Sequence, residues 1–114
     1  MSTEINLEEL YNNSVKILTD LIGFRTISGE DNSALIDYCE DYLGKLGATS
    51  FKTFDKEKKR INLFATLKAK KTNGVKPIIL SGHTDTVPVS KVGVPIHLKQ
   101  LSKVISFMEE AHVI

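Results

Sequence analysis

The sequence predicts an α/β fold, a sheet layered with helices, and three observations predict it. Residues 7–24 and 32–46 repeat apolar side chains at helical spacing. Residues 49–54 and 61–67 have strand character and flank a charged turn, and residues 77–81 form a near-continuous apolar run. Helix, helix, strand, strand, loop, strand is the order of a sheet covered by helices. At 114 residues the chain suits one domain with a modest core. It has no internal repeat and no low-complexity tract.

The first helix is expected from Leu7, Leu10, Tyr11, Val15, Leu18, Leu21 and Ile22, with Glu8 and Glu9 early, where the helix dipole favours negative charge. Thr26-Ile27-Ser28-Gly29-Glu30 ends the pattern with a turn-forming glycine. A second helix starts near Asn32 or Ser33, either of which is a capping residue type. It runs through Leu35, Ile36, Cys39, Leu43 and Leu46, and Gly47 stands where a left-handed residue closes a helix. Thr49 to Phe54 and Ile61 to Leu67 read as strands around the charged turn Asp55 to Arg60. Residues 70–76 form a loop carrying Asn73-Gly74, and Pro77 to Ser81 reads as a third strand of the kind buried on both faces. From Lys91 to Ile114 the character changes. Leu98, Leu101, Val104, Ile105 and Met108 would line one side of an amphipathic helix, with Lys99, Lys103, Glu109 and Glu110 opposite.

Composition narrows the function. The chain is 41% hydrophobic and 25% charged with a formal net charge of +1, and no apolar run nears the length of a membrane span. That balance gives no field favouring nucleic acid or an anionic membrane. The lysines at 56, 58, 59, 68, 70 and 71 and Arg60 have no interleaved aromatic residues on which bases would stack, so they read as solvated surface. Residues 1–6 show no secretory signal pattern, and Cys39 is the sole cysteine, which together predict a cytoplasmic protein. Cys39 lies on the apolar stripe of the second helix and reads as core, not nucleophile. Ser28, Ser33 and Ser81 have no nucleophile-elbow context, and no phosphate-binding glycine pattern exists.

The chemistry concentrates in Ser81-Gly82-His83-Thr84-Asp85-Thr86-Val87-Pro88-Val89. A histidine where an apolar run ends, with an aspartate two residues on, is a way to build a metal ligand with its own orienting carboxylate. Gly82 is expected to let backbone approach closely, and the end of a strand in an α/β sheet is where ligands tend to bind. A zinc-type site needs three or four protein ligands, so His83 and Asp85 make only part of one. On spacing alone a loop histidine bonded to backbone and a metal ligand both stand.

The stretch Leu80 to Val89 resembles the first metal motif of the co-catalytic zinc amidohydrolases of the M20 peptidase family. The resemblance extends over most of residues 7–90. Leu21-Ile22-Gly23-Phe24-Arg25-Thr26-Ile27-Ser28 looks like the family's segment closing the first helix, and Asn62-Leu63-Phe64-Ala65-Thr66-Leu67 like the strand preceding the motif strand. It implies that residues 1–90 are the N-terminal part of a helix-layered mixed-sheet zinc-hydrolase catalytic domain. It further implies that His83 holds one of two Zn2+ ions (Co2+ being an alternative) and that Asp85 is the catalytic-site carboxylate orienting its ring. The family hydrolyses small-molecule N-acyl amino acids and usually dimerises through a smaller inserted domain, so a homodimer is implied for the complete enzyme. The bridging aspartate, the general base and the other ligands match nothing in this chain. His97 and His112 match no family position and read as solvated tail residues. The isolated chain is accordingly expected to be inactive.

Residues 91–114 depart from the family, which continues there with a tryptophan-containing stretch, an aromatic residue, a Gly-Arg-Gly segment and the bridging aspartate. The codons permitted for these residues, read one base earlier, spell parts of it. Val92-Gly93 allows tryptophan across its boundary, and Phe107 to Ile114 allows Tyr-Gly-Arg-Gly-Thr-Cys-Asp. The expectation is a frame slip near Ser90 or Lys91, leaving 91–114 as a divergent tail. A reading of another class keeps the chain as a small non-catalytic domain that binds a partner through its C-terminal helix.

Overall fold

The computed structural model describes residues 4–71 and 74–88. The amphipathic helix expected beyond Lys91, together with His97, His112 and Asn73, lies outside the described residues. Two compact units divide the chain, one holding residues 4–24 and the other running from Arg25 to Pro88.

The first unit is a helix, α1, Leu7–Ile22. The Asn6 side chain accepts the Glu9 N–H at 3.1 Å, satisfying one of the free N–H groups at the helix start, and the Asn6 carbonyl accepts the Leu10 N–H at 3.0 Å as the first bond of the helix. Glu8 and Glu9 occupy the first turn as the charge pattern expects. Lys16 and Asp20 pair one turn apart at 2.6 Å. The helix ends where the Gly23 N–H reaches the Thr19 and Asp20 carbonyls.

The second unit combines one helix with a hairpin. Helix α2, Ser33–Lys45, closes on Leu46 and Gly47, whose φ of +89° carries the chain into the left-handed region. The Ala48 N–H returns to the Leu43 carbonyl and the Gly47 N–H to that of Gly44, so the glycine meets the geometric demand that the sequence placed on it. The start of α2 differs from expectation. Asn32 does not cap it with its side chain, and Ser33 is already helical; Asp31 Oδ1 accepts the Ser33 N–H at 2.8 Å instead.

Asn32 is used elsewhere. Its side-chain amide donates to the Ile61 carbonyl at 2.9 Å and accepts the Ile61 N–H at 2.8 Å, while its own N–H donates to the Lys59 carbonyl at 3.1 Å. The amide imitates one rung of a β-ladder and ties the entry to α2 onto the first residue of a strand. A helix cap needs a side-chain oxygen near the helix N–H groups, and the two-way pairing with Ile61 takes that oxygen away.

Strands β1, Thr49–Phe54, and β2, Ile61–Thr66, pair antiparallel from Thr49 opposite Thr66 to Phe54 opposite Ile61. Alternation along β2 places Ile61, Leu63 and Ala65 on one face, less exposed than their neighbours, and α2 packs on β2 and β1. Among the described residues the buried apolar side chains are Leu35 and Ile36 of α2 and Ile61 of β2. The seam with β1 is polar: Lys52 Nζ reaches Asp37 at 2.8 Å and Glu40 at 2.5 Å, and Ser50 Oγ donates to Glu40 at 3.0 Å. These carboxylates, Asp37 first and then Glu40, push the Lys52 ammonium above its ordinary range. Phe51 and Phe64, directly opposite each other, remain exposed.

The turn between the strands is organised by Asp55. Its Oδ1 accepts the Lys59 and Arg60 N–H groups at 2.9 and 3.1 Å, and its Oδ2 accepts Arg60 Nε at 2.6 Å. The Arg60 guanidinium, followed by the Arg60 and Lys59 backbone bonds, holds the Asp55 carboxyl down at about 2.

Residues 77–81 do not form the expected third strand. Among the described residues no ladder includes them, and Ile78 and Leu80 are 87% and 91% exposed. An apolar run without a polar face becomes a buried strand only when neighbouring strands supply hydrogen bonds and both faces are covered; β1 and β2 pair only with each other. The described residues are therefore of mixed α/β class with a two-stranded antiparallel sheet. Among the described residues no helix is long and apolar enough to cross a membrane.

Asn32→Ala leaves the Ile61 N–H and carbonyl without their partner and is expected to destabilise the second unit by about 1–3 kcal/mol, read as a denaturant midpoint shift with loss of exchange protection at the Ile61 amide. Asp55 has its carboxyl lowered in the folded turn, so its contribution is complete above the ordinary value of 3.8 and is lost as pH falls through about 2. Acid titration of the hairpin resonances should show that loss between those values, and Asp55→Asn should make the acid dependence shallower over the same interval.

Candidate metal-ligand site

The chain reaches this site by two short extended segments, not by a strand of a sheet. Residues 26–28 run parallel to residues 84–86, with Ile27 and Thr86 as bridge partners. The Ser28 N–H donates to the Thr86 carbonyl at 2.8 Å and the Thr86 N–H to the Thr26 carbonyl at 2.8 Å. Hydroxyls two residues apart then add to the backbone pairing. Thr26, the buried polar residue of the unit, donates from Oγ1 to the Thr84 carbonyl at 2.6 Å, and Ser28 donates from Oγ to Asp85 Oδ2 at 2.5 Å.

Asp85 passes the constraint on. Its Oδ1 lies 2.8 Å from Nδ1 of His83. The Ser28 hydroxyl, and after it the His83 ring, hold the Asp85 carboxyl below the usual carboxylate range. An ionised carboxylate only accepts, so Nδ1 of the neutral ring carries the proton and donates, and Nε2 keeps its lone pair. The His83 side chain is 85% exposed and that of Asp85 58% exposed. The ring is thus fixed at one nitrogen and open to an incoming group at the other.

The pair sits at the edge of an open groove of about 710 Å³, with Ile36, Cys39, Leu43 and Leu63 among its apolar lining and Asp55 and Arg60 among its polar lining. Cys39 is half-buried on α2, and burial pushes its thiol up, away from the reactive thiolate. Gly82 does not play the part expected of it: a Cβ built there meets nothing within 4 Å and its φ is not left-handed, so no close backbone approach depends on it. His83 and Asp85 are brought together as the sequence expects. Ser28 and Thr26 are the residues missed, because the groups their hydroxyls meet lie 57 and 58 residues away in sequence.

Among the described residues there is no group of three or more His, Cys, Asp or Glu side chains able to hold a metal ion. At the motif itself the open ligand atom is His83 Nε2, while each oxygen of Asp85 takes part in a hydrogen bond. Zinc requires three or four ligands, so the described residues do not fit a complete zinc centre and no hydrolytic step follows from them alone. No protein-family model, curated protein or solved structure matches this chain.

Proposed function

We propose that this chain carries the first metal-ligand motif of a zinc amidohydrolase of the M20 type, acting on N-acyl amino acids. One observation supports it most: the His83 ring is exposed, with its Nδ1 side held by Asp85 and Nε2 left open. A satisfied loop histidine would have its nitrogens committed to main-chain groups, and this ring does not. Residues 1–90 are then the first part of the catalytic domain, and 91–114 a divergent tail from a shifted reading frame.

Within the family the segments at 21–28 and 62–67 look most like acetylornithine deacetylase, which hydrolyses N-acetylornithine to ornithine and acetate in arginine biosynthesis. Succinyl-diaminopimelate desuccinylase is the nearest rival and shares the metal chemistry. Two bound Zn2+ ions supply polarisation of the amide carbonyl and an acidified water. His83 would hold one ion through Nε2, and Asp85 would keep that nitrogen aimed and basic. The other ligands and the general base match nothing in this chain, so the complete enzyme, a homodimer in the usual family pattern, draws them from further sequence. The single cysteine and balanced charge fit a cytoplasmic setting.

The encoding DNA tests the proposal. Entered one base earlier after the Ser90 codon, it should give a tryptophan at the Val92-Gly93 boundary and Tyr-Gly-Arg-Gly-Thr-Cys-Asp at the end. The protein extended in that frame should release acetate from N-acetylornithine. Asp85→Asn should then cost about 10- to 100-fold, and His83→Ala more, while the 114-residue chain itself turns nothing over. Codons unable to yield that continuation, or an extended protein indifferent to His83→Ala, would overturn the proposal.

A further inference from the structure

We infer that Ser28 is a positioning residue for the His83 ring, acting through Asp85. In calling that ring a metal ligand the inference rests on the function proposed above; the orientation itself does not. Three side chains form one chain of hydrogen bonds: the Ser28 hydroxyl donates to Asp85 Oδ2 at 2.5 Å, and His83 Nδ1 donates to Asp85 Oδ1 at 2.8 Å. The order decides the role. In a nucleophilic triad the histidine lies between the hydroxyl and the carboxylate and takes the hydroxyl proton. Here the carboxylate lies in the middle and the hydroxyl donates to it, so the order is not that of the triad and the hydroxyl bears on the ring only through Asp85.

What the hydroxyl supplies is a fixed carboxylate. The last torsion of an aspartate side chain is broad and two-fold, and Asp85 is more than half exposed, so the ring alone does little to stop it turning. A second bond to the other oxygen removes that freedom. Ser28 is able to give it because its own N–H donates to the Thr86 carbonyl at 2.8 Å, and the Thr86 N–H in turn donates to the Thr26 carbonyl at 2.8 Å, which registers the two distant segments. Thr26 does the corresponding work on the backbone, holding the Thr84 carbonyl at 2.6 Å between the two site residues. The site is therefore built from two distant stretches, and the first of them contributes hydroxyl donors to a motif that contains the ring.

The test uses the full 114-residue chain labelled with 15N at histidine, with ring nitrogen shifts measured at a pH where His83 is neutral. The unsubstituted protein should hold the ring in the Nδ1–H form. Ser28→Ala should lower the ratio of Nδ1–H to Nε2–H tautomer by about 2- to 10-fold, with the amide shifts of the β1–β2 hairpin unchanged, and Ser28→Thr, which keeps the hydroxyl, should restore it. Ser28→Cys keeps the shape with a weaker donor and should fall between, so the Thr and Cys variants decide the matter should the Ala variant not fold. A ratio unmoved by Ala and Cys, or a Thr variant no better than Cys, overturns the inference. The protein extended in the shifted frame separates the two claims. A tautomer that responds to Ser28, beside an extended protein whose activity is indifferent to His83→Ala, sinks the metal reading and leaves the positioning role; activity that needs His83 with a tautomer indifferent to Ser28 does the reverse.

Discussion

Two backbone hydrogen bonds between residues 26–28 and 84–86 carry the second unit's site. The Ser28 and Thr86 amides each donate at 2.8 Å across the pair of segments, and the long-range contacts made to the His83–Asp85 motif share that registration. It sets Thr26 against Thr84 and Ser28 against Asp85, and through Asp85 it sets the ring. The segment between β2 and this contact includes Ile78, Ile79 and Leu80, all exposed, so order at the motif comes from the contact and not from the run leading to it. One bridge in place of a full ladder makes a local device: few bonds, short reach and a strong dependence on two hydroxyls.

The same economy is visible at the other end of the unit. Asn32 replaces a rung of backbone pairing with its side-chain amide, and the Asp55 carboxylate takes up the Lys59 and Arg60 N–H groups of the turn. Polar side chains that bond backbone groups make up for a small apolar core of Leu35, Ile36 and Ile61. Net gains of this kind are modest individually, but losing one partner strands the other, which is why such positions are sensitive. The ion pairs of Lys52 with Asp37 and Glu40 add orientation between α2 and β1 more than they add stability, since their carboxylates remain in contact with water.

How much of this was legible in the sequence depends on the range of the interaction. Both helices, the hairpin, its charged turn and the left-handed Gly47 were readable because their signals lie within a few residues: apolar spacing, alternation and a glycine after the last apolar position. The His83–Asp85 pairing was readable for the same reason, being two residues apart. Asn32 was not, since a capping residue type pairs here with Ile61, 29 residues on. Ser28 and Thr26 were not, since their partners lie 57 and 58 residues away. The run 77–81 misled in the opposite sense: its composition suits a buried strand, but strand formation belongs to the sheet as a whole, and the described sheet has two strands.

The amide exchange rates of Ser28 and Thr86 in the 114-residue chain test the central claim most directly. Both amides should exchange slowly together, and well behind those of the exposed Ile78 to Leu80 stretch, because one bridge protects both. Exchange of both at the rate of an unstructured chain would mean that the two segments do not meet, and the His83 ring would lose the scaffold on which its orientation has been argued.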